Sequence, residues 1–128
     1  MLSPEQQLIF ERYKHPLFAG SVGESNLRAE GSNPSCGDEV IFTLQVGDGQ
    51  IRGICHQTRG CAICTAATDL LAERLLRSPL STVGELTEEE VVEELGIPLS
   101  PVRRRCATLP LEILRKALTN PPLPDPSS

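Results

Sequence analysis

The amino-acid sequence predicts an α+β fold in which helices pack on an antiparallel sheet. Residues 38–46 alternate between apolar and other side chains, as in a half-buried strand, and residues 51–58 follow after a Gly-Asp-Gly turn. Apolar residues recur at helical spacing before residue 15 and after residue 61, but not between them. Because helices and strands occupy separate parts of the chain, the sheet should be antiparallel.

The N-terminal part contains one predicted helix and one predicted strand. Ser3 is a suitable N-cap, a proline occupies the first helical position, and Gln6 completes a capping box. Pro16 disfavours helical backbone at the residue before it, so the helix should end there. A short strand is predicted over residues 24–30, inside a stretch rich in Gly, Ser and Asn.

Three helical segments are predicted after the hairpin. The first covers residues 61–77 and has a buried stripe formed by Ile63, Ala67, Leu70, Leu71 and Leu75. Thr87 and Glu90 are predicted to form a capping box that opens a short helix, with Gly96 as its stop, and a last segment begins at Pro101. Pro110 lies inside that segment, where it should kink the helix or force it to restart. Residues 1–118 are predicted to form one domain, and residues 119–128 a disordered, proline-rich tail.

The composition excludes several classes of protein. The chain has 128 residues, a formal net charge of −5, three Phe, one Tyr and no Trp. An acidic chain with few aromatic residues is poorly suited to nucleic acid, and no apolar run approaches the roughly 18 residues of a membrane span. The N-terminus lacks the basic-then-apolar order of a signal peptide, so we expect a cytoplasmic protein.

In a reducing cytoplasm, five cysteines indicate metal binding or thiol chemistry rather than a disulfide framework. Cys36, Cys61 and Cys106 stand where an element begins or a loop ends, and Asp38 follows the first of them closely. Three thiolates and one carboxylate suit a tetrahedral zinc site or the anchor of an iron–sulfur cluster. The separations match no generic zinc-finger pattern, so shared ligation and simple packing as small buried residues both stay open.

Three segments around these residues occur in a fixed order: Asn33-Pro-Ser-Cys-Gly-Asp38, Gly60-Cys-Ala-Ile-Cys64 and Leu99-Ser-Pro-Val-Arg-Arg-Arg-Cys106. Together they resemble the iron–sulfur cluster assembly family of IscU, SufU and the N-terminal domain of NifU, over residues 8–118. The resemblance implies a SufE/NifU-like fold with a three-stranded antiparallel sheet. It also implies that one exposed end holds zinc or a nascent [2Fe–2S] cluster, through Cys36, Asp38, Cys61 and Cys106.

The resemblance implies partners as well. A pyridoxal-phosphate cysteine desulfurase would deliver sulfur as a persulfide, with Cys106 as the first candidate acceptor and Cys61 as the second. Recipient apo iron–sulfur proteins or a carrier would take the finished cluster. The composition, as described above, predicts no nucleic-acid or membrane partner.

The chain departs from the family pattern at several positions. Arg105 stands where IscU-type members carry a histidine, and a guanidinium offers no lone pair to a metal. The chaperone motif of IscU is changed here to Leu-Ser-Pro-Val-Arg, and the insertion typical of SufU-like members is missing. Cys64 replaces the usual serine, so it could relay sulfur, form a disulfide with Cys61, or simply be buried. Cys55 is predicted in the core, and His56 is predicted as a solvated or core residue rather than a ligand.

The leading hypothesis is a scaffold that accepts sulfur from a desulfurase and assembles and transfers a [2Fe–2S] cluster; such a scaffold is not an enzyme. The first alternative is a SufU-like, zinc-dependent sulfur transferase that activates a desulfurase, and the second is a structural zinc domain. The arginines at positions 103–105 either neutralise an anionic site, form a solvated face, or dock an acidic partner.

Overall fold

The structure is a computed structural model that describes residues 2–35 and 37–119. Residues 120–128 of the predicted tail therefore lie outside the described residues. Five helices and three strands are observed in the described part of the chain: α1 (Pro4–Lys14), β1 (Leu27–Asn33), β2 (Asp38–Gly47), β3 (Gln50–Arg59), α2 (Ala62–Leu75), α3 (Thr82–Glu85), α4 (Glu88–Leu95) and α5 (Pro101–Thr119). None of the helices described is both long enough and apolar enough to cross a membrane.

The three strands form one antiparallel sheet in the order β1-β2-β3, which confirms the predicted α+β class. Asp48 and Gly49 join β2 to β3, and both have the positive φ angles that a two-residue hairpin turn requires. β1 begins and ends three residues later than the predicted strand at 24–30, so its last residue, Asn33, pairs with Asp38. The β1–β2 connection therefore enters β2 directly at Asp38.

An irregularity between Gln45 and Val46 shifts the β2–β3 register near the hairpin. It allows both Ile51 and Ile54 to face the core although they are three residues apart. His56 is buried on the same face as Ile54, as one of the two environments predicted for it. Cys55 points to the opposite face and is only half-buried, so its predicted place in the core is wrong.

α2 is the central helix of the molecule. It contacts β3 on one side and α1, α4 and α5 on others. Its predicted apolar stripe is buried, but so are most of its remaining residues, including Thr68 and Asp69. The helix is shorter than predicted because Cys61 is its N-cap and Leu76 its C-cap.

α5 runs without interruption through Pro110, so the predicted restart of the last helical segment is wrong. Proline removes one N–H from the helix, which deprives the carbonyl of Cys106 of its usual partner four residues later. The helix is held on both sides of this position by its contacts with α2 and β1, and residues 106–111 are all buried. Tertiary packing therefore overrides the local preference of proline.

A buried polar cluster ties α1 and the following loop to α2 and β3. Arg12 Nη1 donates to Asp69 Oδ2 over 2.8 Å, and His56 Nε2 lies 2.9 Å from Asp69 Oδ1. The backbone N–H groups of Leu17 and Phe18 donate to the same carboxylate. This cluster joins parts of the chain that no local sequence pattern connects.

Candidate metal centre

Three elements bring one side chain each to the same place. Asp38 is the first residue of β2, Cys61 is the N-cap of α2, and Cys106 lies in the second turn of α5. One carboxylate oxygen of Asp38 and the two sulfur atoms lie within 4.8 Å of one another. Ligands around one tetrahedral zinc are about 3.5–3.8 Å apart, given metal–ligand bonds of roughly 2.0–2.3 Å. Small side-chain movements would therefore allow all three atoms to bind one ion.

Cys36, the fourth predicted ligand, lies outside the described residues. The turn on either side of it is described, and hydrogen bonds hold that turn. The N–H of Gly37 donates to the carbonyl of Asn33 over 2.9 Å, and the N–H of Ser35 donates to Asn33 Oδ1 over 3.1 Å. Cys36 stays a predicted ligand on a segment that leads directly into Asp38.

The Asp38 carboxylate is almost completely buried, and its two oxygens differ. Oδ1 accepts a hydrogen bond from the N–H of Cys61 over 3.1 Å. Oδ2 is buried and has no hydrogen-bond partner among the described residues. Leaving a buried polar atom without a partner costs about 1–3 kcal/mol, and more when the group is charged. A cation bound at this oxygen would remove that cost, so the observed geometry fits a metal ligand.

Gly60 is a positioning residue that the sequence analysis did not single out beyond its place in the motif. A Cβ atom at this position would lie only 2.3 Å from Asp38 Oδ1. The backbone of Gly60 and the carboxylate can therefore approach each other only because the side chain is absent. The signal in the sequence is a glycine directly before a cysteine that caps a helix.

Cys61 is the exposed thiol of the site. Its Sγ accepts a hydrogen bond from the N–H of Cys64 over 3.4 Å, in the first turn of α2. The free N–H groups and the positive end of the helix dipole therefore lie beside this sulfur. Cys61 is thus both accessible and placed for nucleophilic or ligand chemistry.

Cys106 is buried, with 3% of its surface exposed. Burial raises the pKa of its thiol well above the ordinary value, and the nearby Asp38 carboxylate and Cys61 sulfur raise it further. Without a cation, the site therefore keeps Cys106 as a neutral thiol. A bound Zn²⁺ or iron ion would reverse this preference, because coordination favours the thiolate.

The donor set of one carboxylate and two sulfurs suits Zn²⁺ and iron, both of which accept thiolate ligands. Cys64 is fully buried one turn into α2 and does not belong to the group of three. In the arginine run, Arg104 pairs with Glu89 on α4, while Arg103 and Arg105 are exposed.

Comparisons with known proteins identify the family of this chain. The family model described as the NifU-like N terminal domain matches residues 4–122. The bifunctional protein NifU/MnmA of Rubrobacter xylanophilus is 36% identical over 110 residues, which are 85% of this chain and 22% of that protein. The chain thus spans less than a quarter of that relative.

Two shorter relatives match over most of their length. The iron–sulfur cluster assembly scaffold protein IscU of Aquifex aeolicus is 30% identical over 112 residues, 86% of this chain and 71% of that one. The zinc-dependent sulfurtransferase SufU of Bacillus subtilis is 23% identical over 130 residues, 88% of each chain.

A solved structure has the same fold. It is a candidate iron–sulfur cluster assembly scaffold protein for the SUF system from Fervidobacterium islandicum, with a TM-score of 0.72 at 23% identity, covering 88% of this chain and 94% of that one. The family model covers nearly the whole chain, and the Aquifex relative reaches 30% identity over most of its own length. The chain belongs to the NifU-like N-terminal domain family.

Proposed function

We propose that this chain is an iron–sulfur cluster assembly scaffold. It takes sulfur from a cysteine desulfurase and assembles a [2Fe–2S] cluster, its cargo, at Asp38, Cys61 and Cys106, together with Cys36. The observation that carries the proposal is the convergence of one carboxylate and two thiols within 4.8 Å. The proposal is supported by family membership and by the name of the Aquifex relative, an IscU scaffold.

The donor set suits a cargo that must leave again. Thiolates bind iron strongly, whereas a carboxylate oxygen is a harder ligand that holds the softer cluster less well. Asp38 is also lightly held on the protein side, since it accepts one hydrogen bond from Cys61 and its other oxygen has no partner among the described residues. A ligand with these properties can be replaced when a recipient protein supplies a thiolate.

The two candidate sulfur acceptors differ in accessibility. Cys61 is exposed and Cys106 is almost fully buried, which favours Cys61 as the point of entry and reverses the order expected from sequence. In the transfer, the Cys61 thiolate attacks the outer sulfur of the desulfurase persulfide. A Cys61 persulfide forms, and the desulfurase thiolate leaves. Sulfur on Cys61 then lies beside the Cys106 thiol.

The partners follow from this chemistry. The sulfur donor is a pyridoxal-phosphate cysteine desulfurase, and the acceptors of the cluster are apo iron–sulfur proteins or a carrier. We place the reaction in the cytoplasm, because persulfide and thiolate intermediates need a compartment that keeps thiols reduced.

A zinc-dependent sulfur transferase is the second candidate function. The same three donors fit Zn²⁺, Arg105 replaces the histidine of IscU-type members, and the Bacillus relative is named a zinc-dependent sulfurtransferase. In this role zinc would mask the thiolates until the desulfurase displaces one of them.

One experiment separates these functions. The full chain is purified without oxygen, its zinc and iron are measured, and it is incubated with Fe²⁺, cysteine, a dithiol reductant and a desulfurase. A scaffold gains the visible absorption of a [2Fe–2S] cluster and loses it in Cys61→Ser and Cys106→Ser, but not in Cys55→Ser. Tight stoichiometric zinc with strong stimulation of the desulfurase and no cluster would instead select the transferase. Failure of both signals would leave only a structural zinc domain.

A further inference from the structure

The structure assigns a redox role to Cys64, resting on the proposed function: its thiol reduces sulfur carried on Cys61 to sulfide. Persulfide sulfur must gain two electrons before it can enter a cluster as sulfide. We infer that Cys64 sulfur attacks Sγ of a Cys61 persulfide and forms a Cys61–Cys64 disulfide. The outer sulfur leaves with the two electrons of the broken S–S bond and takes up the Cys64 proton, so that H₂S is released. A dithiol reductant then restores both thiols.

The positions of the two cysteines support this step. Cys61 is the N-cap of α2 and Cys64 is the third residue of the helix, so both belong to its first turn. The N–H of Cys64 donates to Cys61 Sγ over 3.4 Å, which places that sulfur against the Cys64 backbone. Side chains in a helix lean toward its N-terminus, and this directs Cys64 toward Cys61.

A disulfide between these residues needs a local change of backbone at the start of α2. Residues three apart on a helix have Cβ atoms about 5–6 Å apart, and a disulfide needs roughly 3.5–4.5 Å. Cys61 has extended rather than helical backbone angles, φ −72° and ψ 167°. Because it is the N-cap, a change in these two angles can bring its Cβ toward Cys64 without breaking the helical turns that follow.

The difference in burial between Cys61 and Cys64 favours a reaction between these two residues of one chain. Cys61 is exposed and can receive sulfur from outside, whereas Cys64 has no exposed surface. A small thiol in solution cannot easily reach Cys64, but a persulfide on Cys61 is its neighbour. Among the described residues, Cys64 is also outside the group formed by Asp38, Cys61 and Cys106, so its oxidation does not remove one of those three donors apart from Cys61 itself.

The test measures sulfide release in a single turnover, in the full chain and without added reductant. The metal-free protein is treated with inorganic polysulfide, excess reagent is removed, and sulfide and bound persulfide are followed by trapping and mass spectrometry. We expect wild type to release about one sulfide per Cys61 persulfide and to gain one Cys61–Cys64 disulfide. Cys64→Ser and Cys64→Ala should retain the persulfide and release sulfide at least tenfold more slowly, while Cys55→Ser, with its change on the far sheet face, should behave as wild type.

Three outcomes would overturn the inference: sulfide release by Cys64→Ser and Cys64→Ala at the wild-type rate, a disulfide that joins Cys61 to Cys106, or no persulfide on Cys61 of the folded Cys64→Ser variant. The circular-dichroism spectrum of each variant checks folding. Repeating the experiment with a desulfurase and cysteine separates the two proposals. If the desulfurase transfers no sulfur but polysulfide-treated protein still forms the Cys61–Cys64 disulfide, the proposed function fails and the role of Cys64 stands.

Discussion

Two carboxylates, Asp69 and Asp38, are almost equally buried and have opposite surroundings. Both oxygens of Asp69 accept hydrogen bonds, from Arg12, from His56 and from two backbone N–H groups. Asp38 accepts one bond, from the N–H of Cys61, and its second oxygen has no partner among the described residues. The described residues thus satisfy both oxygens of Asp69 but only one oxygen of Asp38.

The pKa values at the two sites differ in a similar way. Burial by itself would raise the pKa of the Asp69 carboxyl, but the hydrogen bonds that it accepts outweigh burial and lower that pKa to about 2. At the other site, burial and then the neighbouring Asp38 carboxylate and Cys61 sulfur raise the pKa of the Cys106 thiol. The Asp69 cluster is thus built to be stable without any added ion. A cation bound at the Asp38 site would supply the partner that the described residues do not provide.

The largest expected effect is on stability at the Asp69 cluster. Asp69→Asn leaves the Arg12 guanidinium without its buried counter-ion, and breaking such a pair costs about 3–5 kcal/mol in the free energy of unfolding. Chemical denaturation of the metal-free protein measures it. The matched control is Glu73→Gln, which removes the half-exposed second carboxylate of Arg12 and should cost under about 1 kcal/mol.

Acid provides a second measurement of the same cluster. Because the folded-state pKa of Asp69 is lowered to about 2, its contribution is fully present above the pKa of an unfolded aspartate, roughly 4. The contribution is lost as pH falls from about 4 toward 2. The difference in unfolding free energy between wild type and Asp69→Asn should therefore shrink over this interval. A difference that stays constant down to pH 2 would contradict the role of the carboxylate charge.

Asp38→Asn, unlike Asp69→Asn, should leave the stability of the metal-free protein nearly unchanged and should weaken zinc binding. The amide keeps an oxygen that can accept from Cys61 N–H, and it removes a buried charge, so the unfolding free energy of the metal-free protein should change by less than about 1 kcal/mol. Zinc affinity should fall at least about tenfold, since a neutral amide is a poor substitute for a carboxylate ligand. Competition with a chelator measures the affinity, and Glu39→Gln, an exposed neighbour, is the control.

If Asp38→Asn instead destabilised the metal-free protein as strongly as Asp69→Asn does, the distinction between the two carboxylates would be wrong. Unchanged zinc affinity would remove Asp38 from the ligand set and leave the site to its cysteines.

Much of the fold could be predicted because its signals are local. The capping box at Ser3 and Gln6, the alternation in β2 and the cap at Thr87 each involve neighbours along the chain, and each forms as predicted, apart from the reciprocal half of a box at Thr87. α3 has only four residues, too few for a periodic pattern. The three-residue spacing of the two buried residues Ile51 and Ile54 is a local sequence signal for the irregularity in β3.

The candidate site could also be predicted only in part. Its residues were found through three motifs that resemble a known family, whereas their convergence depends on how β2, α2 and α5 pack. The Asp69 cluster was missed altogether, since Arg12 and Asp69 are 57 residues apart and neither belongs to a motif. Long-range contacts of this kind depend on the whole fold, so a single sequence does not reveal them.

Gly60→Ala tests whether the position of Asp38 is essential. A Cβ only 2.3 Å from Asp38 Oδ1 must displace the carboxylate or the backbone, and such overpacking costs about 1–3 kcal/mol. We expect both lower stability and weaker zinc binding, measured by denaturation and chelator competition. Gly23→Ala is the control, because an added Cβ there meets nothing within 4 Å. Wild-type zinc affinity in Gly60→Ala would show that the site tolerates displacement of Asp38.

The smallest effect is the pH dependence of zinc binding. The pKa of Cys106 is raised, first by burial and then by Asp38 and Cys61, so its thiol is protonated at neutral pH in the metal-free protein. Zinc must displace that proton, and affinity should therefore rise with pH, by up to about tenfold per unit for each proton released. Calorimetry in buffers of different ionisation enthalpy counts the protons, and Cys106→Ser should lower the count by about one. An unchanged proton count would mean that Cys106 does not bind the metal as a thiolate. The metal site that we contrast with the Asp69 cluster would then consist of Asp38 and Cys61 alone among the described residues.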